Sequence, residues 1–397
     1  VIFISGQIKR KETSRNSKTN LRQFGVQEAD IISIVEPITK YAVMVNEPEK
    51  ILYHLEKAVH LALSGRPGPV WIDIPLDVQG FSPDEKDLIH FIPEEKSING
   101  ICGMDKFFEM YQQAKRPIIL AGNGVRLSGA VEDLREFSKS NNIPCAVSYL
   151  AVDYFEQDNP NYVGRLGIKG DRAGNFAIQN SDLIICLGSR LSVALTGFEY
   201  ELFGRESKLV VIDIDKDEHE KNTVKIDHFI KADVKEFLKI IADKVQKKEQ
   251  CEWQEKCIHW KNKWPVSQDN YDTDTVNMYE FTKALSELAN DNAIVVSDAG
   301  SSYYVTSQSL TFKSIKQRYI TSGAQADMGY TLPAAIGACI AANKSVVGIT
   351  GDGSFQLNIQ ELQTIKHYNL PIKIIVWNNN GYSSIRATQN KFFDGRR

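Results

Sequence analysis

The stretch GDGSFQLNIQELQTIKHYNLPIKIIVWNNNGY, Gly351 to Tyr382, decides how this chain is read. Just before it, SVVGIT is a β-branched run expected as a buried strand. LNIQELQTIKHY has helical spacing, with Leu357, Leu362 and Ile365 on one face, and IKIIVW reads as a second buried strand. Strand, helix and strand make a βαβ unit, whose right-handed crossover leaves the two strands parallel. Asp352 and Asn379 then emerge at the same carboxyl edge of the sheet, where open α/β sheets bind their ligands.

Gly351 and Gly353 permit a tight turn and close backbone approach, and the amides of Gly353 and Ser354 are expected to point outward near a helix start. That is an anion site. Oxygens from an Asp and an Asn beside it are hard ligands, suited to a magnesium ion that shares phosphate oxygens. Separately, Gly-Asp-Gly and Asn-Gly are common turns. Their separation of 27 residues, with the right elements between them, makes a metal-diphosphate clamp the better account.

Working outward, 397 residues with 42% hydrophobic content can bury more than one core. A formal charge of −3 without a polybasic run gives no electrostatic case for nucleic acid, so a small-molecule partner is expected. No apolar run is long enough to span a bilayer, and VIFISG is too short for a signal peptide, so no membrane partner is expected. Cys102, Cys145, Cys186, Cys251, Cys257 and Cys339 are scattered, without zinc-type pairs or the density of a secreted scaffold, which suits a reducing cytoplasmic location. The seven histidines form no HxH or HxxxH pair. There is no GxSxG elbow and no Walker lysine.

The alternation of strands and helices predicts an α/β protein of three doubly wound parallel-sheet domains. Residues 1–79 hold the strand VIFISGQ, a polar loop, the amphipathic helix EKILYHLEKAVHLALSG and the strand GPVWIDIP; 80–105 read as a linker. Residues 106–248 alternate strands (PIILAG, PCAVSY, DLIICLG, LVVIDID) with helices (AVEDLREFSKS, DVKEFLKIIADKVQKK). Gly122-Asn123-Gly124 after PIILA reads first as a turn. A second polar linker, 249–275, leads into 276–397, where AIVVSDAG is a strand running to Gly300, with Ser301 and Ser302 next. The opening strand has no preceding element to shelter it, and the last residues follow a functional loop with no closing element, so both ends are expected to lie inside domains.

With GDG followed by NN at this interval, the sequence resembles the thiamine-diphosphate enzymes. SGRPGPVWIDIPLDVQ and FGVQEADIISIVEPITK follow the pyrimidine-binding domain of the acetolactate-synthase-like members. GRLGIKGDRAGNFAIQNSDLIICLGSRL follows their central domain, and RYITSGAQADMGYTLPAAIGA their diphosphate-binding domain. The resemblance implies that Asp352, Asn379 and the Gly381 carbonyl hold magnesium. It implies that Gly300, Ser301, Ser302, Gly351, Gly353 and Ser354 face the diphosphate. Met328 would wedge between the two cofactor rings, and the Ala326 carbonyl would orient the aminopyrimidine. On composition alone, Met328 is an ordinary packing residue. In flavin-containing members the central domain holds FAD, and the matching positions are Gly122, Gly188, Arg190, Asp213 and Asp233. Gln27 would reach a site completed by a second subunit, which makes a homodimer the minimum unit and a homotetramer an allowed one. The family's activating glutamate would precede Val1, so this stretch alone is expected to be inactive; Glu28 lies beyond the matching position.

The implied activity is decarboxylation of pyruvate, a 2-oxo acid, and transfer of its two-carbon acyl unit to a ketone acceptor. Departures from the pattern bear on the acceptor and the flavin. Ser384 and Thr388 stand where acetolactate synthases carry a Met and a Trp, which opens the pocket and allows a nucleotide-linked keto sugar as an alternative acceptor. Ser192 and Val193 replace an acidic pair after Arg190, and GIKG, Gly167 to Gly170, replaces GMHG. A catalytically silent paralogue that keeps the cofactor clamp is the alternative of a different class.

Overall fold

The computed structural model describes residues 1–94, 100–245, 251–267, 274–323 and 325–397. Among these residues the chain forms three parallel sheets flanked by helices, as the α/β alternation predicts, in two compact units, Val1–Gly100 and Ile101–Arg397.

In the first unit, strands β1 (Ile2–Gln7), β2 (Tyr41–Met44) and β3 (Val70–Pro75) lie in the order β1-β3-β2. The helix Ile51–Leu63 crosses between β2 and β3 and drops Ala58 and Ala62 onto Val45, Val70, Ile72 and Val78. The opening strand is an edge strand among the described residues, with Phe3 43% and Ile4 61% exposed. Its Phe3 ring stacks on Trp71 at 4.9 Å. Asp73, on the central strand, is buried and accepts the Ser5 hydroxyl at 2.6 Å and the Gln7 side-chain amide at 3.1 Å. Burial raises its pKa above the ordinary value, and these two hydrogen bonds only partly offset that rise.

The second unit holds a six-stranded and a four-stranded sheet. The larger comprises β4 (Pro117–Ala121), β5 (Cys145–Val147), β6 (Tyr162–Arg165), β7 (Leu183–Leu187), β8 (Lys208–Asp213) and β9 (His228–Lys231). Their order, β6-β5-β4-β7-β8-β9, puts a topological switch point between β4 and β7. Strands β6 and β9 are additions to the four strands expected here; both are four residues long, too short to show a clear period.

Within the segment expected as a second polar linker, Cys251–Lys263 is a helix. Trp253 and Cys257 are buried, and Trp253 Nε1 donates to the Pro117 carbonyl at 3.0 Å, so this helix closes one face of the larger sheet. Its apolar positions 253, 257 and 260 follow helical spacing inside a charged run that hid them.

The smaller sheet comprises β10 (Ile294–Ser297), β11 (Arg318–Thr321), β12 (Val346–Gly351) and β13 (Ile372–Trp377), in the order β11-β10-β12-β13. The βαβ unit is present with its strands parallel. Among the described residues β13 lies at the end of the sheet order, with Lys373 exposed and Val376 38% exposed. The helix between them is broken into Asp352–Gln356 and Glu361–His367, and Leu357 and Leu362 lie 54% and 39% exposed rather than in the core. The two sheets share buried side chains: Leu310, Phe312 and Tyr319 pack in one cluster with Tyr154 and Phe155. Asp153, almost fully buried, pairs with both Arg126 and Arg318 and accepts the Tyr319 amide at 3.1 Å, joining the sheets by charge as well.

Candidate active site

Strand β12 is central in its sheet, so its carboxyl end lies between those of β10 and β13. Gly300 follows β10, Gly351 ends β12, and Gly381 follows β13. A Cβ at any of the three would meet nothing within 4 Å. This edge therefore presents bare backbone to open space, as a phosphate-sized anion requires. The helix Gly300–Ser309 begins at that edge and adds the positive end of its dipole.

The three residues expected to hold a metal meet here. Asp352 Oδ2 accepts the amide of Asn379 at 2.9 Å and that of Gly381 at 2.8 Å, and Oδ1 accepts the amide of Gly353 at 2.7 Å. Burial pushes the Asp352 carboxyl up, but these amides and the charge of Arg386 outweigh it and hold the group below its ordinary value. It is an anion at neutral pH. The loop is fixed from its other side as well, since Arg386 donates to the carbonyls of Asn379 and Asn380, each at 2.7 Å. A carboxylate, an Asn amide oxygen and a main-chain carbonyl form an all-oxygen donor set, which fits magnesium.

Other expected residues differ in what they can offer. The Gly353 amide is spent on Asp352 rather than pointing outward, and a Cβ at Gly353 would come within 2.6 Å of the Tyr382 ring. Ser302 is buried, and its hydroxyl lies 2.9 Å from Asp298 Oδ1 and 2.7 Å from the Ala299 carbonyl. The Ser354 hydroxyl is likewise buried and donates to Asp298 Oδ2 at 2.6 Å. Of the two residues after Gly300, Ser301 is the half-buried one at the edge. Met328 is 40% exposed in the turn before the helix Thr331–Ala342, with Ala326 in the left-handed region at φ 52°. A non-glycine residue there is uncommon and is held by its surroundings.

Asp298, Tyr382 and Arg386 were not singled out from the sequence. Asp298 could have been, because SDAG ends β10 as GDG ends β12, with an acid between a strand and a glycine. Tyr382, with φ 50°, and Arg386 gave no such signal.

In the first unit, Gln27 is exposed with φ 66°. Beside it, Glu28 is buried and accepts the Ser14 amide, the Ser14 hydroxyl, the Phe24 amide at 2.6 Å and the Gly25 amide at 3.3 Å. Glu28 thus anchors a loop. Burial raises its pKa, but the four hydrogen bonds outweigh that and hold it below the ordinary value.

The positions matched to a flavin site gather at the carboxyl edge of the larger sheet, but each has local work. Gly122 and Gly188 touch: a Cβ on Gly122 would lie 2.2 Å from the Gly188 carbonyl oxygen. Arg190 pairs with Glu218 at 3.1 Å. Asp213 accepts the Asp215 amide at 3.0 Å, and Asp233 caps the helix Val234–Ala242 through the Lys235 amide at 2.8 Å.

The family model for the central domain of thiamine pyrophosphate enzymes matches residues 104–241, and that for their C-terminal TPP binding domain matches residues 298–397. A probable acetolactate synthase large subunit of Methanocaldococcus jannaschii is 32% identical over 416 residues, covering 100% of this chain and 68% of the relative. The acetolactate synthase large subunit of Cyanidium caldarium is 33% identical with the same coverage. The isozyme 2 large subunit of Escherichia coli K12 is 32% identical, covering 100% of this chain and 70% of its own length.

Proposed function

The chain belongs to the thiamine pyrophosphate enzymes, alongside acetolactate synthase large subunits, and on that premise we propose that it decarboxylates pyruvate and passes the two-carbon acyl unit to a ketone acceptor, with magnesium holding the cofactor's diphosphate. One observation supports the proposal: Asp352 accepts the main-chain amides of Asn379 and Gly381, which gathers the three residues at the sheet edge where Gly300, Gly351 and Gly381 face open space.

When bound, thiamine diphosphate supplies an electron sink for the pair of electrons that decarboxylation releases. The residues of this chain supply position and charge. Asp352, the Asn379 side chain and the Gly381 carbonyl would hold the magnesium. Gly300, Ser301 and Gly351 would line the diphosphate with backbone that approaches closely. Met328 would meet the cofactor as the wedge between its two rings, with the Ala326 carbonyl as acceptor for the aminopyrimidine. Arg386 keeps the 379–381 loop in one shape, so little ordering cost remains at binding.

On the acceptor side, Ser384 and Thr388 are both exposed on the helix Ser383–Phe392. The Thr388 hydroxyl donates to the Ser384 carbonyl at 3.1 Å, which reduces what this face offers a sugar and favours a small 2-oxo acid as acceptor. The test is to give the full-length protein pyruvate with 2-oxobutyrate, and separately with a nucleotide-linked keto sugar, and to compare kcat/KM for carbon dioxide release and product. Preference for 2-oxobutyrate is expected; no carbon dioxide with either would overturn the assignment.

At the matched flavin positions, Gly122 and Gly188 bring their backbones close, and Arg190, Asp213 and Asp233 each keep hydrogen-bonding capacity beside one local partner, so these residues would hold FAD at the carboxyl edge of the larger sheet. No step of the reaction is assigned to it.

A further inference from the structure

Asp298 is fully buried at the end of β10 and takes no part in the proposed chemistry, yet four donors from three parts of the fold converge on it. Oδ1 accepts the Ala299 amide at 2.7 Å and the Ser302 hydroxyl at 2.9 Å. Oδ2 accepts the Thr350 hydroxyl at 2.8 Å and the Ser354 hydroxyl at 2.6 Å. A buried carboxylate is tolerable only when its lone pairs are satisfied in this way. Because the Ser354 proton goes to Asp298, its oxygen is left as an acceptor. It takes the amide of Gly329, the residue after Met328, at 2.7 Å. Asn358 Nδ2 holds the Gly329 carbonyl at 2.8 Å from the other side, and a Cβ on Gly329, which has φ 82°, would fall 2.8 Å from Leu357.

We propose that Asp298 is a positioning residue that sets the Met328 turn in register with the Gly351–Gly353 loop by orienting the Ser354 hydroxyl. The Ala299 amide and the Ser302 hydroxyl hold Oδ1, the carboxylate fixes which way the Ser354 proton points, and the Ser354 oxygen then fixes the turn. An Asn at 298 would offer donors to Thr350 or Ser354, whose protons already point there, and would turn the relay the wrong way. The catalytic consequence rests on the thiamine-diphosphate assignment above; the structural one does not.

The test uses the full-length protein in three forms: wild type, Ser354→Ala, and Thr350→Val as a control that removes another donor to the same carboxylate without touching Gly329. In cofactor-free protein, hydrogen exchange of the peptide 325–332 should be at least about tenfold faster in Ser354→Ala and unchanged in Thr350→Val. Equal protection in Ser354→Ala and wild type would overturn the proposal. Equal loss in both variants would overturn it too, as general loosening. In the active enzyme, Ser354→Ala should lower kcat about tenfold with KM for the 2-oxo acid within about twofold; a raised KM with unchanged kcat would count against a positioning role. If the wild type releases no carbon dioxide, the assignment of activity fails and the exchange result alone decides this proposal.

Discussion

Asp352 Oδ2 accepts the main-chain amide of Asn379 at 2.9 Å, joining the carboxyl ends of β12 and β13 across 27 residues of sequence. The carboxylate that would bind a metal therefore also shapes the loop that supplies the other two ligands. Asp352 is an organiser before it is a ligand, and its loss would remove both roles at once.

The loop that carries Gln27 depends on Glu28 in the same manner. Glu28→Ala should leave the amides of Ser14 and Phe24 without their carboxylate partner, at a cost of about 1 kcal/mol or less for each, since neither residue is buried. Trypsin cleavage after Lys18 or Arg22 should then be at least about tenfold faster than in wild type. Unchanged cleavage would mean that Glu28 does not hold the loop.

Asp73 gives a pH dependence of definite sign. Its folded pKa is raised by burial, so the native state favours the protonated form, and the stability it contributes is present at low pH and lost as pH rises through the folded value. Asp73→Asn removes that titration. Hydrogen exchange of the peptide 68–79 should therefore show wild type gaining protection relative to Asp73→Asn as pH falls from 7 towards the ordinary carboxylate range. A constant difference, or one that grows in the opposite direction, would contradict the assignment.

Trp253 anchors a helix where a linker was expected. Trp253→Ala removes a buried ring and its hydrogen bond to Pro117, and should destabilise the second unit by about 3–5 kcal/mol in urea unfolding. A loss below about 1 kcal/mol would show that the helix is peripheral.

Much of this was legible because certain segments carry one dominant signal. PIILA and VVGIT are short runs rich in apolar and β-branched residues, each followed by a glycine, and they fold as the strands they resemble. The meeting of the loops after β12 and β13 was legible because the βαβ spacing brings Asp352 and Asn379 to one sheet edge. What stayed hidden depends on partners distant in the chain. The role of Asp298 appears only when Thr350 and Ser354, 52 and 56 residues away, are brought against it. Likewise Trp253 and Cys257 are swamped by neighbouring charges until the helix turns them to one side.

Added FAD tests the central domain. Because Gly122, Gly188, Arg190, Asp213 and Asp233 gather at one carboxyl edge, the purified full-length protein should retain FAD through gel filtration. A colourless protein that does not bind added FAD would overturn this assignment.

The most direct measurement of the central claim is calorimetric titration of thiamine diphosphate, with magnesium in excess, into the full-length wild type and Asp352→Ala. Two losses combine in the variant, the inner-sphere carboxylate and the loop held by the Asn379 and Gly381 amides. Hydrogen bonds to a charged group are worth about 1.5–3 kcal/mol each, so affinity should fall at least about thirtyfold, since each tenfold corresponds to about 1.4 kcal/mol. Saturable binding in the wild type that is lost or weakened to this degree in the variant is the predicted result; the same affinity in both proteins would contradict the account.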